Sequence, residues 1–252
     1  MDAVSLLRRI EKENQVYIWM AAETGSHSFG LQTPESDCDI RFIFMQKNIR
    51  EYLSLKPKRE IITFKNQDYE IEGWDLFKAF RLMQKNNPGL FEWFYSRTFD
   101  LTNHEFVNKI RALMQTCYSK RTLGLHYFNM SRNNLVFTGH ITDEGKKANK
   151  TMVQAARCYL MVCYILQKKT LPPLGVDQLL AETTFPSPVR LAIEKLFRSK
   201  KMNRYLPGNF LVETSVLLEA ELDAIKSILP DLPEGNEMEE EMNRIIWNCL
   251  GI

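Results

Sequence analysis

The stretch that most constrains this chain runs from Ala22 to Phe44. Apolar residues from Val16 to Ala22, suited to a strand or a buried helix end, break at Gly25-Ser26. About ten residues later Asp37-Cys38-Asp39-Ile40 alternates acid with apolar. Side chains of a strand repeat every two residues, so Asp37 and Asp39 share one face and Cys38 and Ile40 the other. Two carboxylates side by side repel, and a divalent cation between them relieves the repulsion. Hard oxygen ligands suit magnesium, which keeps waters and takes one or two carboxylates together with substrate phosphates. Gly25-Ser26, on the turn just before, offers backbone amides to a phosphate chain. Phosphate cradle, short gap and paired oxygen ligands form the layout of a nucleotidyl-transfer site. By the same alternation Arg41 joins the acidic face, where a supporting salt bridge and a substrate contact are equally open.

The rest of the chain is read as a small mixed sheet followed by helices. Residues 2–14 place Val4, Leu7 and Ile10 at helical spacing behind Asp2 as a cap. Ile40 to Met45 continues the acidic strand, and residues 46–59, with Pro57, make a connection. Glu60 to Phe64 and Tyr69 to Trp74 flank a polar Lys65-Asn66-Gln67-Asp68 and read as a hairpin. Asp75 reads as an N-cap, and Asn87-Pro88 as the end of one helix and the start of the next. From about residue 103 the pattern is helical throughout. Helices are expected over Glu105–Tyr118, Thr122–Met130, Asp143–Gln167, Val176–Glu182, Pro188–Arg198, Glu213–Ile228 and Glu237–Leu250. Ser131 to Asn134 reads as a break. The fold class is therefore α+β, a mixed-sheet head over residues 1–102 and an all-helical lobe over 103–252.

Composition bounds the partners. Of 252 residues, 33 are Lys or Arg and 31 Asp or Glu, a net charge of +2, so any nucleic-acid surface must be local rather than global. Five cysteines, without a Cys-x-x-Cys pair, form neither a disulfide framework nor a zinc pattern. No apolar run is long enough for a membrane span and no signal-peptide zones open the chain, which makes a cytoplasmic home the expectation. Local basic clusters stand out in the helical part. Lys146, Lys147 and Lys150 open the long helix, and Arg157 follows Lys146 and Lys150 at helical spacing. The run Arg198 to Arg204 is a second basic patch, a charged loop by default or an RNA-backbone contact.

Gly25-Ser26, Gly30, Ser36-Asp37-Cys38-Asp39-Ile40-Arg41-Phe42, then Gly73-Trp74-Asp75-Leu76 and Asn87-Pro88 with Glu92-Trp93, together resemble a known family. The pattern is similar to the DNA polymerase beta-like nucleotidyltransferases, and more narrowly to their RNA-ligase-associated branch. The likeness is strongest over residues 16–97. It implies a third carboxylate on a neighbouring strand, Glu70 by its apolar flanks and its place before Gly73, with Glu72 as the fallback. Asp37, Asp39 and Glu70 are then the catalytic and metal-binding acids. Gly25, Ser26, His27 (where the branch often has Arg), Arg41, Lys147, Lys150 and Arg157 are the nucleotide-binding residues. Two magnesium ions, with manganese as a substitute, and a nucleoside triphosphate such as ATP are the implied cofactors. An RNA end, tRNA among the options, is the implied acceptor, with an RNA ligase or another repair protein as partner and no membrane. Modification of a protein or small molecule, as in toxin–antitoxin pairs, and a non-catalytic nucleotide- or RNA-binding module are the competing readings.

Overall fold

The structure, a computed structural model, describes residues 2–55, 59–139 and 145–252. Pro57 and the Asp143 start expected for the long helix lie outside the described residues. The chain opens with α1 (Ala3–Glu13), β1 (Val16–Thr24) and β2 (Cys38–Gln46), and continues with β3 (Ile61–Lys65), β4 (Tyr69–Asp75), α2 (Leu76–Gln84), α3 (Pro88–Tyr95) and the short β5 (Arg97–Thr98). Helices follow: α4 (His104–Cys117), α5 (Lys120–Gly139), α6 (Lys146–Lys168), α7 (Val176–Glu182), α8 (Ser187–Lys201), α9 (Gly208–Ile225) and α10 (Glu239–Leu250). A mixed-sheet head followed by a largely helical region is the α+β class expected from the sequence.

By its contacts the chain forms two compact units. One comprises Met1–Ser28, Asp37–Tyr118 and Asn236–Ile252, the other Phe29–Ser36 and Ser119–Gly235. In the first, the strand order is β3-β4-β2-β1-β5. The β3–β4 hairpin is antiparallel, β2 lies parallel to β4, and β1 runs antiparallel to both β2 and β5. One face of the sheet carries the apolar core. Ile40, Phe42 and Phe44 of β2 pack with Ile71, Ile62, Val16 and Ile18 against Leu6, Leu7 and Ile10 of α1. Each of those α1 side chains contributes roughly 1.5–3 kcal/mol by leaving water. Asp2 caps the helix, its carboxylate accepting from the Ser5 amide at 2.9 Å.

The opposite face changes character along β2. Its far end, Ile43 and Met45, is buried, and α2, α3 and α4 pack on this sheet. Its near end carries Asp39 and Arg41 and keeps some exposure. The motifs around residues 73–93 account for that packing. A Cβ on Gly73 would lie 2.1 Å from the Phe42 ring, so only glycine lets that ring cross the sheet there. Trp74 stacks on Trp93 with ring centroids 3.9 Å apart. Asp75, fully buried, accepts from the Phe77 amide at 3.0 Å and from the Tyr52 hydroxyl at 2.7 Å. Asn87 caps α3, accepting from the Leu90 amide at 2.9 Å with Pro88 in the first turn.

In the second unit α5 and α6 pack side by side, with α7, α8 and α9 around α6. The break expected at Ser131–Asn134 does not occur, for α5 runs through it. The polar residues find partners without leaving the helix. Ser131, fully buried, donates from Oγ to the Ala155 carbonyl of α6 at 2.8 Å, and Asn134 Nδ2 donates back to the Met130 carbonyl. Tyr159 of α6 ties to α9 through its hydroxyl, 3.0 Å from Glu221 Oε2.

Candidate active site

Register decides which acids meet. Parallel pairing of β2 with β4 sets Asp39 opposite Glu70 and Arg41 opposite Glu72, with neighbouring strands about 4.8 Å apart. Asp37, just before β2, is exposed and contributes to raising the Lys65 ammonium. Glu72 is occupied otherwise: its Oε1 accepts from the Trp74 indole at 2.6 Å.

The acids are neutralised by two bases. Arg41, with a side chain 17% exposed, lies between the carboxylates, 3.3 Å from Glu70 Oε1 and 3.6 Å from Asp39 Oδ1. Its other nitrogen donates to the carbonyls of Ile40 and Glu70, each at 3.2 Å. Lys65, across the hairpin from Glu70 in register, donates to Glu70 Oε2 at 2.8 Å. Lys65 first, and then Arg41, hold the Glu70 carboxyl below its ordinary range. Glu70, with smaller contributions from Asp37 and Asp39, holds the Lys65 ammonium above its usual value. The sequence reading missed Lys65. Its signal was the hairpin itself, because the residues that close a hairpin face each other.

The turn ahead of β2 is built around the acid. Gly25 has φ +66°, and a Cβ on it would stand 2.2 Å from Asp39 Oδ2. A side chain there would displace the carboxylate as well as strain the backbone. Thr24, paired with Asp39, donates its hydroxyl to the Asp39 carbonyl at 3.2 Å. Ser28 Oγ donates to the Glu23 carbonyl at 2.6 Å and pins the far side of the turn. Among the described residues the Ser26 hydroxyl makes no side-chain hydrogen bond.

His27 turns toward Glu23, with Nδ1 3.1 Å from Glu23 Oε1. Glu23 pairs with Ile40, on the apolar face, so the imidazole is held from that side. Its Nε2 is buried and has no partner among the described residues. Cys38, also on that face, lies 3.5 Å from Glu23, and burial pushes its thiol up to about 12.

Of the basic residues assigned to the nucleotide, Lys147, Lys150 and Arg157 lie in the second unit. Lys147 and Lys150 are exposed at the start of α6. Arg157 is only 1% exposed, its guanidinium 3.9 Å over the Phe29 ring and its Nε donating to Gln154.

Among the described residues no group of three or more His, Cys, Asp or Glu is gathered to hold a metal ion. The donor chemistry nevertheless suits magnesium. Asp39 and Glu70 face each other with oxygen ligands only, and a cation, the Arg41 guanidinium, already lies between them.

The resemblance to polymerase beta-like nucleotidyltransferases asks for a carboxylate on a strand beside the one with the acidic pair, and β4, which carries Glu70 and Glu72, is such a strand. The chain belongs to the RlaP family, described as the RNA repair pathway DNA polymerase beta family, whose model matches residues 2–248. It is thus a nucleotidyltransferase-type protein of the polymerase beta class. It is 28% identical over 247 residues to the uncharacterized protein YcgL of Bacillus subtilis (strain 168), a match spanning 97% of this chain and 94% of that one. Among solved structures, a nucleotidyltransferase-like protein from Exiguobacterium sibiricum 255-15 matches with a TM-score of 0.41 at 11% identity, covering 88% of this chain and 74% of that one. Among the described residues no helix is long and apolar enough to cross a membrane.

Proposed function

We propose that this protein transfers a nucleoside monophosphate from a nucleoside triphosphate to a hydroxyl of an RNA end. The observation that carries the reading is the register pairing of Asp39 with Glu70 beside the Gly25 turn. The family's description as an RNA repair branch supports RNA as the acceptor.

In this reading Asp37, Asp39 and Glu70 would hold magnesium, which when bound would supply neutralisation of charge on the reacting phosphate and the leaving pyrophosphate. Gly25 and Ser26 present amides and a hydroxyl to the phosphate chain. The acceptor oxygen forms its bond to the α-phosphorus as the bond to pyrophosphate breaks, and the hydroxyl proton passes to Glu70. Lys65 and Arg41 hold Glu70 ionised, in the form that accepts a proton. Arg41 is the counter-charge that keeps the acids in place before substrate arrives. Lys147 is exposed at the start of α6, where an anion from solvent can meet it, while the buried Arg157 clasps Phe29.

The test is incubation with magnesium and each α-labelled nucleoside triphosphate, with total RNA and separately with a protein lysate, against the Asp37→Ala, Asp39→Ala double variant. Label on RNA that disappears in the variant supports the reading. Label on a protein band moves the acceptor to protein. No label from any triphosphate, with nucleotide still bound, leaves a binding module in its place.

A further inference from the structure

The second unit holds a small pocket between the start of α6 and the end of α8 with the loop after it. Four cations line it: Lys146 and Lys150 from α6, Lys200 from α8 and Arg204 from the loop. No carboxylate lines it, and among the described residues none of the four makes an ion pair. Neighbouring charges do find partners: Lys201 binds Asp177 at 2.8 Å, and Glu35 is held by the Asn203 amide at 2.8 Å. Val153 and Leu196 supply an apolar floor. Tyr205, also lining the pocket, is 52% exposed.

The pocket is built rather than a chance meeting of long side chains. Asn149, 6% exposed, accepts from the Leu206 amide at 2.8 Å and donates to the Leu206 carbonyl at 3.2 Å. That paired contact fastens the loop carrying Arg204 and Tyr205 to the turn of α6 carrying Lys146 and Lys150. Like charges are thereby held together at a cost, which burial and the neighbouring Lys150 and Lys146 express by lowering the Lys200 ammonium below its ordinary value. Cations held together this way are stabilised by an anion that enters.

We infer that this pocket binds the phosphodiester backbone of a single-stranded nucleic acid, with Tyr205 as the platform on which a base stacks. Three features favour a strand over a free triphosphate. A triphosphate travels with magnesium, which is bound through carboxylates, and this lining has none. The cations are side chains from α6, α8 and the loop after α8, not a backbone-amide cradle. An exposed aromatic ring beside a cationic groove is the arrangement by which single strands are held without sequence preference. That the strand is the acceptor of transfer rests on the function proposed above; that the pocket binds it does not.

The test uses the full-length protein and a labelled single-stranded RNA of about 12 nucleotides, a length within the usual footprint of such sites. Anisotropy is read without magnesium or triphosphate. Lys200→Glu with Arg204→Glu should weaken binding by about tenfold or more and make the salt dependence shallower by about 1.4 in logarithmic slope, two contacts' worth for a single strand. Tyr205→Ala should weaken it without changing that slope. Lys168→Glu with Lys226→Glu, the same charge change on exposed residues outside the lining, should leave affinity within about twofold. Lys200→Gln with Arg204→Gln repeats the test where charge reversal impairs folding, as judged by the melting transition. Unchanged binding in the pocket variants overturns the inference. So does displacement of the RNA by ATP alone, which would make this a nucleotide site. Asp37→Ala with Asp39→Ala should bind RNA as the wild type does. RNA bound through the pocket by a protein that transfers nothing would retain this inference and remove the proposed function.

Discussion

The acids of the first unit and the bases of the second are opposite solutions to one problem. Asp39 and Glu70 stand together with Arg41 and Lys65 already on them, so the cluster folds self-compensated. Lys146, Lys150, Lys200 and Arg204 stand together with no acid among the residues that line their pocket. The first arrangement is compensated within itself and, in the proposed function, exchanges partners when substrate binds. The second is repulsive alone and is relieved by whatever binds. A charge cluster that carries its own counter-charges is therefore poised for exchange, whereas one that lacks them waits for a ligand.

The largest break in that comparison is removal of the acids. Asp37→Ala with Asp39→Ala should lower transfer by on the order of a thousandfold or more, since several kcal/mol of charge stabilisation at the phosphate is lost. Label incorporation measures it, with the melting temperature as the check on folding. Next comes the choice between two glutamates two residues apart. Glu70→Gln should cost about a hundredfold in transfer, the lower range for loss of a general base. Glu72→Gln, which keeps an acceptor for the Trp74 indole, should leave the rate within about threefold. Equal effects of the two would overturn the assignment read from register.

Two glycines sharpen the comparison further by separating fold from site. Gly73→Ala drives a methyl group into the Phe42 ring and should destabilise the protein by about 1–3 kcal/mol, seen as a lower denaturation midpoint. Gly25→Ala strains a left-handed turn and pushes on the Asp39 carboxylate. It should cost about 1 kcal/mol of stability while depressing transfer well beyond that loss.

The smallest effect belongs to the bases. The Lys200 ammonium is lowered in the folded state, so the unfolded chain binds more protons between that value and 10.5, and stability rises with pH across the window. Lys200→Gln should flatten that rise. Melting at low salt, from neutral pH to the lysine range, measures the difference between the two proteins. A rise that survives in the variant would assign it to other groups.

Much of the first unit was legible because its signals are local. Period-two alternation put Asp39 and Arg41 on one face, and the capping roles of Asp2 and Asp75 follow from side chains that bond amides two or three residues ahead. The hairpin was visible for the same reason. Ser131 to Asn134 misled because polar residues in sequence look like a helix end. Whether they break a helix depends on partners elsewhere, and Ser131 had one in the Ala155 carbonyl.

The sequence by itself thus determined the class of fold, the strand carrying the acids and the turn preceding it, all set by contacts within a few residues. Only the tertiary structure decided that Asp39 faces Glu70 rather than Glu72, that Lys65 and Arg41 neutralise the pair, and that α10 and α4 join the unit of the sheet. It alone turned the basic run at 198–204 from a charged stretch into one wall of a pocket, by bonding Leu206 to Asn149. Register and long-range hydrogen bonds depend on which distant residues meet, and no periodicity along a chain encodes that meeting.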